Sequence, residues 1–218
     1  MKKLLCAILV LSLALSLVAC APKGDPEVVI TTYYQRVMDG NYSGAYETLA
    51  ANYQAAVSEK DFVYYLQVNN ESKKFKSFKV EKASELKNKQ LGESTYSRVV
   101  EFTVTETTLN YIDDKETNMT YTREVVADGG EWKVFRSSTP IGAEIGSALN
   151  NLGWMYRDGK EEKNLNQAAV SFVKATKDYG FTDAYYGLGV VYLDLGRYDE
   201  ASAALQSYVS RVMIYSRI

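Results

Sequence analysis

The side chains able to do chemistry are unevenly stocked in this chain. It holds 18 tyrosines, two cysteines and no histidine among 218 residues. Without histidine there is no imidazole base, no serine–histidine or cysteine–histidine pair and no histidine ligand for zinc. The acid pairs Asp113-Asp114 and Glu161-Glu162 lie in turn-like stretches. Catalytic carboxylates need a pocket and unequal environments, so these pairs read as solvated. Lys73, Lys74 and Lys76 form a basic run leading into a strand, solvated or open to a partner. Gly187-Leu188-Gly189 falls within a helical pattern and serves packing. The chain has no GxGxxG, no phosphate-binding loop and no Cys/His cluster. Asn41, Asn70 and Asn118 open N-x-S/T triplets without further context. The expectation is a protein that is not an enzyme and carries no cofactor and no metal.

Cys20 is set apart by what precedes it. Met1-Lys2-Lys3 leads into an apolar run from Leu4 to Val18, the layout of a secretory signal. That run is shorter than the ~20 residues a spanning helix needs, and no later stretch is long and apolar enough. It ends in Leu17-Val18-Ala19-Cys20-Ala21, which resembles the lipobox of bacterial lipoproteins. The resemblance implies removal of residues 1–19 and a thioether from the Cys20 sulfur to diacylglycerol, with acyl chains such as palmitate adding about 0.8 kcal/mol per buried CH₂. Residues 20–24 would then be the lipidated cysteine and a short tether, and the protein would sit on the extracytoplasmic face of the cell membrane. An ordinary cleaved signal or an uncleaved N-terminal helix is the alternative. Cys6 leaves with the leader, so no disulfide is available.

Removing Lys2 and Lys3 from the 25 basic residues leaves 23 against 27 acids, a formal charge of −4. Such a surface offers nothing to nucleic acid and no polybasic patch to anionic lipid. With 46% hydrophobic residues, a packed core is within reach of one large domain or two small ones.

Two blocks position these side chains. Asp25-Pro26-Glu27 is a helix start. Ile30, Tyr33, Tyr34 and Val37 then follow the i, i+3, i+4, i+7 spacing until Gly40. A second helix is expected from Asn41, with Tyr42, Ala45, Tyr46, Leu49 and Tyr53 on one stripe. A third follows Ser58-Glu59-Lys60-Asp61, showing Phe62, Tyr65 and Leu66. From Phe75 the period becomes two: Phe78 and Val80; then Tyr96, Val100, Phe102 and Val104; then Met119, Tyr121 and Val125. Asp128-Gly129-Gly130 marks a turn before a last short strand with Trp132 and Val134.

Three helices followed by about four antiparallel strands, with the stretches Gly40-Asn41-Tyr42-Ser43-Gly44-Ala45-Tyr46 and Gly129-Gly130-Glu131-Trp132-Lys133-Val134, resemble the nuclear-transport-factor-two-like (SnoaL-like) family. The alternative is a small α+β domain of another topology. The resemblance implies an α+β cone over residues 25–140, three helices on a curved sheet. Its relatives hold small molecules there, and some run acid–base chemistry with Asp and His. Here the candidate cavity-lining residues are Tyr33, Tyr34, Tyr46, Tyr65, Tyr96, Phe102 and Trp132, with simple core packing as their other reading.

The second block, 141–218, is helical and carries an internal echo. Leu152-Gly153-Trp154-Met155-Tyr156 matches Leu188-Gly189-Val190-Val191-Tyr192 at a period of 36 residues. The first copy, continuing to Lys174-Ala175 and Tyr179-Gly180-Phe181-Thr182-Asp183-Ala184, resembles a Sel-one-like repeat. The second, with Leu195-Gly196-Arg197-Tyr198-Asp199-Glu200-Ala201, resembles a tetratricopeptide turn. Gly153, Ala168, Gly189 and Ala201 would let the paired helices approach closely. Two copies fall short of the roughly three a free solenoid needs, so the block is expected to lean on the first domain or on a partner.

In tetratricopeptide-like arrays the first helix of each pair meets the partner, which nominates Asn150, Asn151, Trp154, Tyr185 and Tyr186. The first expectation is therefore a lipid-anchored scaffolding protein that binds another cell-envelope protein. A small-molecule-binding protein using the cone is the second, and an enzyme the third.

Overall fold

The computed structural model describes residues 21–137, 140–159 and 163–215. Cys20 and the apolar leader lie outside them. Just after Cys20, Lys23 is fixed to the sheet, its N–H donating to Gly130 O at 3.0 Å. The stretch expected to be a tether is thus held to the protein from Lys23 on.

Asp25 caps helix α1 (Pro26–Met38) by accepting from Glu27 N at 2.9 Å, and Pro26 fills the first turn, where no amide donor is needed. Ile30, Tyr33 and Tyr34 are buried. Asn41 caps the next helix through Gly44 N at 3.0 Å. The single second helix of the sequence reading is two short ones, α2 (Tyr42–Glu47) and α3 (Ala51–Ala56). The chain opens between them because Thr48 O accepts from Val134 N at 2.8 Å and Ala50 N donates to Val134 O at 2.9 Å. Pairing with a strand edge competes with helical bonds, and here it wins while Ala45, Leu49 and Tyr53 all stay buried. Ser58 caps α4 (Glu59–Ser72) through Asp61 N at 3.1 Å. The first block therefore has four helices, one more than the periodicity predicts.

The chain passes from α4 into a four-stranded antiparallel sheet in sequence order: β1 (Lys73–Leu91), β2 (Ser94–Asn110), β3 (Lys115–Asp128) and β4 (Glu131–Val134). Register shifts interrupt β1 between Phe75 and Ser77 and between Lys82 and Ser84; such irregularities bend and twist a strand. Val100, Phe102, Val104 and Val125 face the helices. On the other face Lys89 Nζ pairs with Glu101 at 2.6 Å and Glu124 at 3.2 Å, and Thr105 bonds Thr120 at 3.0 Å. Gly129 (φ +59) and Gly130 (φ +84) make the β3–β4 turn, which needs two left-handed residues.

Four further helices follow: α5 (Gly142–Asp158), α6 (Leu165–Lys177), α7 (Asp183–Asp194) and α8 (Tyr198–Tyr215). The fold is thus mixed α+β, with one four-stranded sheet and eight helices among the described residues. Phe172 of α6 is wholly buried between two glycines. A Cβ on Gly153 of α5 would stand 2.7 Å from its ring, and one on Gly187 of α7 2.4 Å. Ile145, Ala148, Leu149 and Leu152 of α5 belong to the same buried cluster as Tyr34, Phe62 and Val104. One core therefore runs across the boundary near residue 140. No helix among the described residues is long and apolar enough to cross a membrane.

Candidate functional site

Between α1, α4 and one end of the sheet lies a cavity of about 390 Å³. Helix α1 supplies Tyr33, Tyr34 and Val37, and α4 supplies Tyr65, Leu66, Asn69 and Asn70. The sheet contributes Lys73 and Phe75 from β1, Glu106 and Thr108 from β2, and Met119, Tyr121 and Arg123 from β3; Tyr42 and Arg136 complete the wall. The strand period accounts for the sheet's share. Glu106 and Thr108 continue the inward series of Phe102 and Val104, and Arg123 and Tyr121 stand on the rungs opposite Phe102 and Val104.

A polar chain crosses this wall. Arg123 Nε donates to Tyr34 Oη at 3.3 Å. Tyr34 and Tyr121 share a hydrogen bond of 2.9 Å between their hydroxyls, and Tyr121 donates its proton to Glu106 Oε1. Since the single Tyr121 proton goes to the carboxylate, Tyr34 is the donor between the phenols. Every link then runs from cation to anion. Burial pushes the Tyr34 hydroxyl up to about 12, against the opposing pull of Arg123. Tyr121 is raised as well, by burial first and then by Tyr34 and Glu106. Both phenols are neutral across the physiological range.

Arg136, two residues past Val134, is the second guanidinium. Its Nη2 donates to Glu144 Oε2 at 2.8 Å and its Nη1 to Tyr33 Oη at 3.4 Å. The rings of Tyr53, Phe62 and Tyr65 lie 5.2, 5.8 and 6.0 Å from its central carbon, within cation–π range. Glu144 is in the first turn of α5, so this arginine joins the cavity to the second block.

Tyr33, Tyr34 and Tyr65 of the seven nominated aromatics line the cavity; Tyr46, Tyr96, Phe102 and Trp132 do not. Tyr46 turns its hydroxyl to Val57 O at 2.7 Å and its ring to Phe62. Tyr96 lies on the opposite face of the sheet against Phe135, 5.8 Å between centroids. Phe102 and Trp132 flank a separate depression near Asp25, and Arg98 covers Trp132 at 5.3 Å. Apolar periodicity finds inward positions but not which end of the sheet the helices leave open. The residues it passed over, Glu106, Arg123 and Arg136, carry a legible signal: charged side chains in an otherwise apolar inward series.

Of the nominated partner-binding residues, Trp154 and Tyr186 come together at 6.2 Å, and Tyr186 continues to Tyr208 of α8 at 5.7 Å. Tyr186 is 49% exposed. Tyr185 instead receives Arg211, whose guanidinium stands 4.7 Å over its ring. Asn151 is exposed and Asn150 half-buried, with its Oδ1 lacking a hydrogen-bond partner.

A larger depression of about 780 Å³ lies between the first turns of α4 and Tyr179. Its charged residues Glu59, Lys60 and Asp61 are all exposed, so it lacks the buried charges of the first. Among the described residues no group of three or more acids or cysteines is placed to hold a metal ion. No family model, no curated protein and no solved structure matches this chain.

Proposed function

We propose that this is a lipid-anchored protein of the bacterial envelope that binds a small molecule in the Tyr34–Arg123 cavity without transforming it. The single observation behind this reading is the cavity itself: about 390 Å³ left open by the side chains around it, within the size range of ligand sites. Four helices over a sheet bent at two places in β1 support the cone reading and the nuclear-transport-factor-two-like resemblance. The lipobox at Leu17–Cys20 supports the anchor. Glu106 is the one acid of the cavity wall and is engaged by Tyr121, which favours binding over proton abstraction. The test is native mass spectrometry of the protein released in detergent from its own membrane. One small-molecule adduct per chain, beyond the lipid on Cys20, is expected. A mass of chain plus lipid alone, from preparations that retain bound lipid, overturns the reading.

A second reading, a scaffold binding another envelope protein through tetratricopeptide-like repeats, is favoured by the row Trp154–Tyr186–Tyr208. The packing of Phe172 between Gly153 and Gly187 supports the repeat assignment. Crosslinking in intact cells should then capture one neighbour from wild type and lose it with Tyr186→Ser. Crosslinks indifferent to Tyr186 would remove this reading.

A further inference from the structure

The cavity wall holds a cation that no carboxylate touches directly. Arg123 uses Nε on Tyr34 at 3.3 Å and lies 5.1 Å over the Tyr121 ring. Among the described residues no carboxylate pairs with it, whereas Arg136 in the same wall has Glu144 at 2.8 Å. A guanidinium has five N–H donors and keeps its proton at any physiological pH. Among the described residues no hydrogen bond from its terminal nitrogens accompanies the one from Nε, and Arg123 lines the cavity.

We infer that the cavity takes a small amphipathic anion, a carboxylate on an apolar body, with Arg123 as its counter-ion. This rests on the cavity being the ligand site. Two arguments beyond the free donors carry it. The first is charge balance. Arg123, Arg136 and Lys73 line the cavity with Glu106 as its one acid, and Glu144 cancels Arg136. One positive charge is left over, inside a chain whose own formal charge is −2. A half-buried cation without a carboxylate beside it loses part of its hydration, and a monoanion offsets that loss, with two parallel bonds where a carboxylate meets the guanidinium fork.

The second is polarity along the cavity. Arg123 stands on the rung of Phe102 and Glu106 on the rung of Met119. The two rungs are roughly 13 Å apart along the strands, although the Tyr34 and Tyr121 hydroxyls bridge the two side chains. An anionic head is drawn to one end and repelled from the other. Val37, Leu66, Phe75 and Met119 are left for the apolar body.

The test is calorimetry on the folded chain with Cys20→Ser, using benzoate and hexanoate beside their neutral amides, benzamide and hexanamide. At least one acid should bind ten-fold or more tighter than its own amide. Arg123→Met should erase that preference, and Arg123→Lys should keep part of it. The wild-type acid-to-amide ratio decides the matter even if a variant fails to fold. Amides binding as tightly as acids overturn the anion assignment and leave the cavity reading standing. No binding by any of the four probes overturns both.

Discussion

The Arg136 guanidinium donates to Glu144 Oε2 at 2.8 Å and so ties the segment leaving β4 to the first turn of α5. The Arg136 side chain is 14% exposed and that of Glu144 34%, so the pair is largely withdrawn from water. Breaking such a pair from one side leaves a charge without its partner.

Arg136→Met should therefore destabilise the protein by about 3 kcal/mol, losing the ion pair and the ring contacts together. Glu144→Gln should cost about 2 kcal/mol, because the amide keeps one hydrogen bond. The double variant should cost less than the sum, since the two residues share one interaction. Urea unfolding midpoints of the four proteins measure this, and strict additivity would show that the residues are not coupled.

Glycine at 187 is required by a ring and not by a turn. Gly187→Ala would place its Cβ 2.4 Å from Phe172. It should destabilise by about 1–3 kcal/mol through overpacking, although alanine favours a helix by about 1 kcal/mol. Gly142→Ala meets nothing nearer than 3.7 Å and should be neutral or slightly stabilising. Thermal melts compare them directly, and equal melting temperatures would count against the packing of Phe172 between α5 and α7.

Tyr34 should titrate late. Its hydroxyl is raised by burial from 10.0 to about 12, so the folded state holds this proton more tightly than the unfolded state does. The stabilisation is complete below pH 10.0 and is lost as pH rises through about 12. Phenolate absorbance against pH should show a delayed fraction that shrinks in Tyr34→Phe. A single titration near 10.0 for all tyrosines would contradict the buried Arg123–Tyr34–Tyr121 chain.

How far the sequence reached follows from which forces act locally. Caps at Asp25 and Ser58, the helix start at Asn41, the turn at Gly129-Gly130 and the inward alternation of β2 and β3 depend on neighbours a few residues apart, and each was legible. The break between α2 and α3 was not, because Thr48 and Ala50 bond to Val134, a residue more than eighty positions away. The cavity shows the same division. Tyr33, Tyr34 and Tyr65 follow from helical spacing, while Tyr46 and Tyr96 satisfy an apolar pattern equally well and point elsewhere. Arg123 and Glu106 stood in the inward series as charges out of place. Only the assembled wall gives them a role.

The aromatic row on the second block makes its own prediction. Tyr186→Ser removes ring contacts with Trp154 and Tyr208 from a half-exposed position, and should cost no more than about 1 kcal/mol. Chemical denaturation checks that figure. A larger loss would mean that the row holds α5, α7 and α8 together and is not a free surface.

Methyl NMR during titration with benzoate tests the central claim most directly. Binding in the cavity predicts saturable shifts at Val37 and Leu66, which line it, with Val209 and Val212 on the exposed face of α8 unmoved. Shifts at Val209 and Val212 with Val37 and Leu66 unchanged would place binding on the helical block and contradict the account.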